Sequence, residues 1–453
     1  MPCSSRRIIW PITLLTLILL AITACSGENP APVEVESSPT PELQVVVFAT
    51  EAPTPTPTAT TRAATPTAAM GASTAEPTAA ASSGDQSAPL NRPPDINPLT
   101  GLKVDDPATL KRRPIMVRVG NDPGIQQVGL EKADMVYEEI VEWWVTRFTA
   151  IYLSQDPEII APIRSARLIN LQLVPQYGGA LANSGGSDQV RWELSQAADL
   201  VNLDEFFSPQ PYFYRENEGW QTRLAFDAAT AREYMDGEDL EADVKLRGFV
   251  FSPKVEVKDL PKEAVGQAKE AIIPYPRQTS EVKWEYDSAS GTYLRWKTGE
   301  PMEDFDGKQL AASNVIIYFA EHADTDIVED SNGATSIRIV VNGLGTAWLL
   351  RDGQILKGNW ETNGLETPNF IFNDGRPMPL KPGNTWVEVV PLDFEIEIDG
   401  VAHTRLSDAS GKASSSSSSD EPKEEATDEP DATITPTSTP IGARPAATPT
   451  AEE

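Results

Sequence analysis

Cysteine and histidine are nearly absent from this chain of 453 residues, which holds only Cys3, Cys25, His322 and His403. Two cysteines allow at most one disulfide, and two distant histidines leave almost nothing for a multi-histidine zinc or iron centre. Positive charge is also short. Lys and Arg number 37 against 67 Asp and Glu, a net charge of −30, with a pI near 4.4. A dedicated nucleic-acid binder needs a basic face to displace phosphate counterions, so that class is disfavoured. No phosphate-loop, dinucleotide or nucleophile-elbow motif is present, and no cofactor is implied. What the chain has in excess is proline, 39 in all, too many for compact domains alone.

The N-terminus reads as an address. Arg6 and Arg7 precede an almost wholly apolar run, Ile8–Ile22, short for a membrane span of about 20 residues but suited to a secretory signal. The run leads into Ile22-Thr23-Ala24-Cys25, an apolar residue and two small ones before a cysteine, as in a bacterial lipobox. Residues 1–24 are therefore read as a lipoprotein signal peptide, with Cys25 acylated and the mature chain free of thiol chemistry. Acyl chains contribute about 0.8 kcal/mol per buried methylene, so two or more anchor stably. The competing readings are a plain signal peptide with an incidental cysteine, or an uncleaved anchor.

Residues 25–90 form a Pro/Thr-rich linker, exemplified by Pro53-Thr54-Pro55-Thr56-Pro57-Thr58. Such composition buries too little apolar surface to offset chain entropy. As a coil it spans roughly 45 Å, enough to hold a folded part away from a bilayer. Residues 411–453 form a second disordered arm, with the run Ser414–Ser419 followed by acidic and Pro/Thr segments. The block between the arms keeps most of the negative charge.

That block changes character near residue 250. In 91–249, Pro114–Val119, Met135–Glu138, Thr146–Leu153 and Gly179–Ser184 read as strands. Leu168–Tyr177, Asp188–Ala198 and Asp227–Met235 read as helices; the second has Asp188 as N-cap and Val190, Trp192, Leu194 and Ala198 as apolar positions. In 250–410, β-rich runs such as Asn314–Phe319, Ala347–Arg351 and Trp386–Pro391 alternate with Asn-Gly and Asp-Gly turns, including Asp352-Gly353 and Asp399-Gly400. The expected class is α+β: an N-terminal α/β-type domain, then an antiparallel β-rich domain, a sandwich or curled sheet, flanked by disordered arms.

Asn97-Pro98-Leu99-Thr100-Gly101-Leu102, Ala133–Glu138, Thr146–Tyr152, Pro162-Ile163-Arg164-Ser165-Ala166-Arg167 and Gly185-Gly186-Ser187 resemble the YerB-like lipoproteins. Gly343-Leu344-Gly345, Gly358-Asn359-Trp360 and Pro382–Trp386 resemble the C-terminal domain of that family. The resemblance runs in order through 96–392 and implies a two-domain bacterial surface lipoprotein, without implying an activity. It also implies a histidine two residues before Gly185 and a Pro-His-Asn segment after Tyr212-Phe213-Tyr214-Arg215. This chain has Asn183 at the first place, and Trp220, Arg223 and Phe226 but no histidine in the second stretch. Any chemistry those histidines perform is lost or altered here.

The candidate site gathers Arg147, Arg164, Ser165 and Arg167 in an acidic chain, where guanidinium groups grip carboxylates or phosphates in a planar fork. Asn183, Ser184, Gly185, Gly186 and Ser187 form a strand-to-helix turn whose amides suit an anion, and Arg215 completes the ligand-binding set. The bland reading is an internal ion-pair network, Arg164 or Arg167 against Glu138. Glu138, Glu139 and Glu142 are weak candidates for a hydrolytic carboxylate pair. Ser165, Ser184 and Ser187 are nucleophile candidates without a nearby histidine. Glu321–Asp326 reads as an exposed acidic hairpin or a weak cation site, and Trp360 and Trp386 read as sugar-stacking or buried sheet residues. The leading functional expectation is a lipid-anchored envelope protein, held to the membrane by Cys25, that binds a cell-wall polymer or envelope protein without catalysis. A carboxylate-dependent wall hydrolase and a purely structural envelope protein are the alternatives. Nothing in the sequence reports on oligomeric state.

Overall fold

In the computed structural model the described residues are 92–407; the signal segment, Cys25, the linker through residue 91 and the tail from residue 408 lie outside them. Among the described residues no helix is long and apolar enough to cross a membrane.

The first half supplies β1 (Ile115–Gly120), β2 (Met135–Ile140), β3 (Thr146–Tyr152), β4 (Ala180–Asn183) and β5 (Val201–Asp204), with a small hairpin of β6 (Tyr212–Tyr214) and β7 (Leu224–Phe226). Its helices are α1 (Asn170–Gln176), α2 (Asp188–Gln196) and α3 (Ala228–Gly237). The second half adds β8 (Val265–Gln267), β9 (Glu270–Ile273), β10 (Val282–Asp287), β11 (Thr292–Lys297), β12 (Glu300–Pro301) and β13 (Ala311–Ala312). It continues with β14 (Asn314–Val328), β15 (Thr335–Val340), β16 (Gly343–Arg351), β17 (Gln354–Thr362), β18 (Asn369–Ile371), β19 (Thr385–Pro391), β20 (Ile396–Ile398) and β21 (Val401–His403). The protein is thus mostly sheet, with few helices.

Strands of both halves share one large sheet, ordered β18-β17-β16-β14-β19-β2-β3-β1-β4-β5, with β15 beside β14 and β8 beside β17. Every residue of β1, β2 and β3 is buried, so both faces of the sheet are covered. Alternate side chains feed two cores. Val117, Phe148 and Trp386 pack on one face against Trp284, Tyr293 and Met235. Met116, Ile151 and Val387 pack on the other against Leu173, Val190 and Phe370. The first core is closed by α3 and by a second sheet, β12-β11-β10-β9-β20-β21 with β13 beside β11; the other is closed by α1 and α2.

Strand β19 joins the halves. It runs parallel to β14 on one side, Asn314 opposite Thr385, and parallel to β2 on the other, Thr385 opposite Met135. The expectation of purely antiparallel pairing in the second half is corrected at this seam. The chain leaves β14 and returns through β15 to β18 before β19 inserts, which requires a parallel neighbour. Elsewhere the turn chemistry works as read: Asp352 and Gly353 (φ 53° and 71°) link β16 to β17, and Asp399 and Gly400 (φ 49° and 80°) link β20 to β21.

Two local readings change, both on α2. Helix α2 is capped by Ser187, whose hydroxyl accepts from the Val190 amide, one residue before the expected Asp188. Its buried face is Val190 and Leu194, four apart, which leaves Trp192 on the opposite, exposed side. Glu321–Asp326 lies, largely exposed, on one arm of the β14–β15 hairpin, as expected, with His322 opposite Ile339 and Ala323 opposite Arg338. Trp360 and Trp386 are each 2% exposed and so out of reach of a polymer. The Trp360 ring lies on Gly345, where a β-carbon would approach it to 2.6 Å.

Candidate functional site

The charged residues converge at one end of the large sheet, where β1, β2 and β4 finish and β3 begins. The segment 163–167 is drawn into this end by backbone bonds: the Arg164 amide donates to the Arg118 carbonyl (2.9 Å), and the Ser184 amide donates to the Arg164 carbonyl (3.1 Å). The Ala166 amide then donates to the Gly185 carbonyl (2.9 Å), so the arginine segment and the Asn183–Ser187 turn are stitched together.

The charges are arranged in depth. Innermost, Glu138 lies fully buried and salt-bridged to Arg295 at 2.5 Å. It also accepts from Thr146 Oγ1 (2.6 Å), Asn121 Nδ2 (3.2 Å) and Trp386 Nε1 (3.2 Å). The Arg295 guanidinium lies 4.8 Å from the Trp386 ring centre, an additional cation–π contact. Beside this pair, Glu388 accepts from Trp284 Nε1 (2.7 Å); burial and the Glu138 charge push its carboxyl well above the usual range. Glu139 points to the other face and pairs with Arg118 at 2.5 Å. Burial outweighs the Arg118 charge and pushes Glu139 up to about 7.

The outer layer is built on Glu142. Arg167 grips its carboxylate with two nitrogens, Nε at 2.8 Å from Oε2 and Nη2 on Oε1, and Arg147 Nη2 reaches Oε1 at 3.1 Å. Burial alone would raise Glu142, but the two arginines hold it down to about 2. Arg167 also faces Glu329 of the β14–β15 connection at 3.5 Å, and Glu329 Oε2 accepts from the Ser187 amide at 3.3 Å. Arg147 is the least compensated of these arginines, since Arg118 and Arg295 each leave a single buried nitrogen without an acceptor among the described residues. Its Nε and Nη1 are buried and have no acceptor among the described residues. Burial and the neighbouring Arg167 charge push this guanidinium down to about 9, against the pull of Glu142.

Arg164 stands beside this layer, paired with Asp122 at 2.9 Å. Ser165 Oγ donates to the Ser184 carbonyl (3.1 Å), Ser184 Oγ donates to Glu205 Oε2 (2.5 Å), and Ser187 Oγ caps α2. Each hydroxyl is thus engaged by a backbone group or a carboxylate. Asn183 Nδ2 donates to Asn202 Oδ1 (2.7 Å) while its Oδ1 is buried without a donor among the described residues. Gly185 takes φ +69°, and Gly186 follows it into the cap. Arg215 stands apart on the β6–β7 hairpin, bound to Glu218 (2.8 Å) and over the Phe305 ring. The network therefore pairs Arg167 with Glu142, Arg164 with Asp122, and Glu138 with Arg295.

A general acid must hold a proton near neutral pH and reach its substrate. Glu142 is ionised and clamped, and Glu138 and Glu139 reach no solvent. The unused donors of Arg147 are the groups here that a carboxylate or phosphate would satisfy once the side chains shielding them move aside. Sequence reasoning missed Arg118, Arg295, Glu329 and Glu388. For Arg118 and Glu388 a signal was present: each is a lone charge inside an apolar strand run, Ile115–Val119 and Trp386–Val390.

Residues 99–249 match the family described as "Protein of unknown function (DUF3048) N-terminal domain", and residues 271–387 match its C-terminal domain. The chain is 30% identical over 300 residues to "Putative lipoprotein YerB" of Bacillus subtilis (strain 168), covering 65% of this chain and 86% of that protein. The crystal structure of Bacillus subtilis YerB superposes with a TM-score of 0.55 at 26% identity, over 65% of this chain and 95% of that one. With both family domains matched in order and the relative covered over most of its length, the chain belongs to the YerB-like lipoprotein family.

Proposed function

We propose that this protein is a lipid-anchored, extracytoplasmic envelope protein that binds a cell-wall polymer, without cleaving it, at the end of the large sheet carrying Arg147 and Arg167. Cys25 supplies the anchor, and the linker through residue 90 supplies the reach. The observation that carries the reading is Arg147, whose Nε and Nη1 have no acceptor among the described residues although Glu142 lies beside it. Burying a guanidinium with idle donors is costly for the fold alone, and a bound anion would offset that cost. The purely structural reading draws support from the fully buried pairs Arg118–Glu139 and Glu138–Arg295, which serve the core whatever binds outside.

The test is co-sedimentation of the full chain, kept in detergent, with purified wall sacculi. Wild type is expected in the pellet. Arg147→Gln, which removes the charge-assisted donors, is expected to weaken binding by about tenfold to a hundredfold, with Arg147→Lys intermediate. Wild type that neither sediments with sacculi nor cross-links to an envelope protein would leave only the structural reading.

A further inference from the structure

Around the arginine end of the sheet stand aromatic rings that the core does not use. Trp143 and Trp144 are 57% and 67% exposed, and Phe206, Phe207 and Tyr214 are 68%, 74% and 60% exposed. Contacts tie both groups to the Ser184–Ser187 turn. Trp143 Nε1 donates to Asp330 Oδ2 (2.6 Å), next to Glu329, which accepts from the Ser187 amide. Within the turn, Gly185 approaches the Phe206 ring, which lies 3.4 Å from where a β-carbon on Gly185 would stand. Tyr214 Oη donates to Glu205 (3.3 Å), the acceptor of Ser184 Oγ. The rings therefore frame the site just described.

The tryptophans are held at a cost. Both adopt left-handed backbone angles, φ 65° for Trp143 and 56° for Trp144, a region that costs a side-chain-bearing residue roughly 1–2 kcal/mol. Neighbouring elements fix them there: Thr279 Oγ1 donates to the Trp144 carbonyl (2.7 Å), and the Thr146 amide donates to Ser280 Oγ (3.1 Å). Two strained, rigidly placed and exposed tryptophans bring the fold no burial. Rigid placement does lower the ordering cost of a binding event.

We propose that this rim binds a carboxylate-bearing amino-sugar glycan of the wall, sugar faces stacking on the rings and acidic groups meeting the arginines. The proposal rests on the binder reading above and names its ligand. Two features favour a glycan over an acidic protein. The rings do not merge into one apolar patch, since polar groups interrupt them: Asp330 at the Trp143 edge, Glu205 at the Tyr214 hydroxyl, and Arg191 over the Phe206 and Phe207 rings (5.2 and 5.5 Å). A sugar presents the matching pattern, an apolar face of C–H groups edged by hydroxyls, whereas a protein hot spot needs a dry apolar centre. Charge is also complementary: Arg191, and Arg223 at 4.6 Å from the Tyr214 ring centre, place cations on the rim of an acidic protein.

The experiment uses the full chain in detergent, with sacculi stripped of teichoic acid and two soluble probes. One probe is a tetrasaccharide containing N-acetylmuramic acid; the other is N-acetylglucosamine tetramer, which has no carboxylate. Trp143→Ala/Trp144→Ala and Phe206→Ala/Phe207→Ala are each expected to weaken sacculus binding at least tenfold at unchanged melting temperature. The muramic probe is expected to bind more tightly than the uncharged one. If wild type binds sacculi and both double variants bind within twofold of it, the rim proposal is wrong and the binder reading stands. If wild type ignores sacculi yet a photo-cross-linker at position 144 captures an acidic envelope protein, the glycan is wrong and a protein is the occupant. If neither ligand is found, both readings fail.

Discussion

Glu138 and Glu139 are neighbours in β2, and the two-residue period of a strand sends their carboxylates to opposite faces. Each therefore needs its own partner: Arg295 from β11 for Glu138, and Arg118 from β1 for Glu139. Removing one member of such a pair strands the other charge in the core. Glu138→Ala is expected to lower stability by about 3–5 kcal/mol, measured by urea unfolding; a loss below 1 kcal/mol would mean that Arg295 finds another acceptor. The pH dependence follows from Glu139. Below about pH 4.5 it is protonated folded or unfolded, and between about 4.5 and 7 only the folded chain retains the proton. The folded state then binds more protons, so stability falls as pH rises through that window, by about 3 kcal/mol in all. Glu142, held down to about 2, works in the opposite sense: its stabilisation is present above about 4.5 and is lost as pH falls toward 2. The urea midpoint is therefore expected to peak near pH 5 and decline toward pH 7.5, with Glu139→Gln making the decline shallower and Glu388, also pushed up by burial, accounting for the remainder. An unchanged slope in that variant would assign the titration elsewhere. The sequence exposed the outer arginines because Pro162–Arg167 concentrates them. Glu138 and Arg295 lie 157 residues apart, and no local pattern couples them.

At the level of elements, the short turn Glu142–Trp144 does two jobs: it aims Glu142 inward at Arg147 and Arg167 while turning both indoles outward. Asparagine tolerates the left-handed region better than tryptophan does. Trp144→Asn is therefore expected to leave stability unchanged or raise it by about 1 kcal/mol, while weakening sacculus binding severalfold. Thermal melting and co-sedimentation on the same preparations check both halves, and a large loss of stability would show that the indole itself packs. This turn was hidden in the sequence because Val141–Val145, left between two strands, holds no Gly, Pro, Asn or Asp to mark a turn. Periodicity placed α2 well, but counting Trp192 among its apolar positions ignored that residues two apart face opposite sides. The Asp-Gly hairpins were legible because two successive positive φ angles leave few residue choices. The full length of β14 was not, since Glu321, Asp324 and Asp326 break the apolar run of its outer half, although Glu321 and Asp324 pair with Val340 and Ile337 of β15.

Across the whole described molecule, the change of composition near residue 250 divides the sequence more sharply than it divides the structure. β19, laid down near the end of the second half, pairs with β2 along Met135–Glu139 and closes the large sheet from within. Without it, β2 would become an open edge of five buried residues, and Glu138 would lose the Trp386 indole; without the whole second half it would lose Arg295 of β11 as well. Both cores also draw side chains from both halves: Phe148 packs edge-on against Trp386 at 5.2 Å, and Trp386 packs against Trp284 at 5.5 Å. Separate unfolding of the halves would therefore expose shared apolar surface and unpaired charge together, each costly on its own. Calorimetry of the intact protein is expected to show a single transition, with calorimetric and van't Hoff enthalpies equal. Residues 92–249 expressed alone are expected to lack a cooperative melt and to associate through the β2 edge. Two resolved transitions in the intact chain, or a monomeric and cooperatively melting 92–249 fragment, would mean that β19 docks onto a half already complete without it.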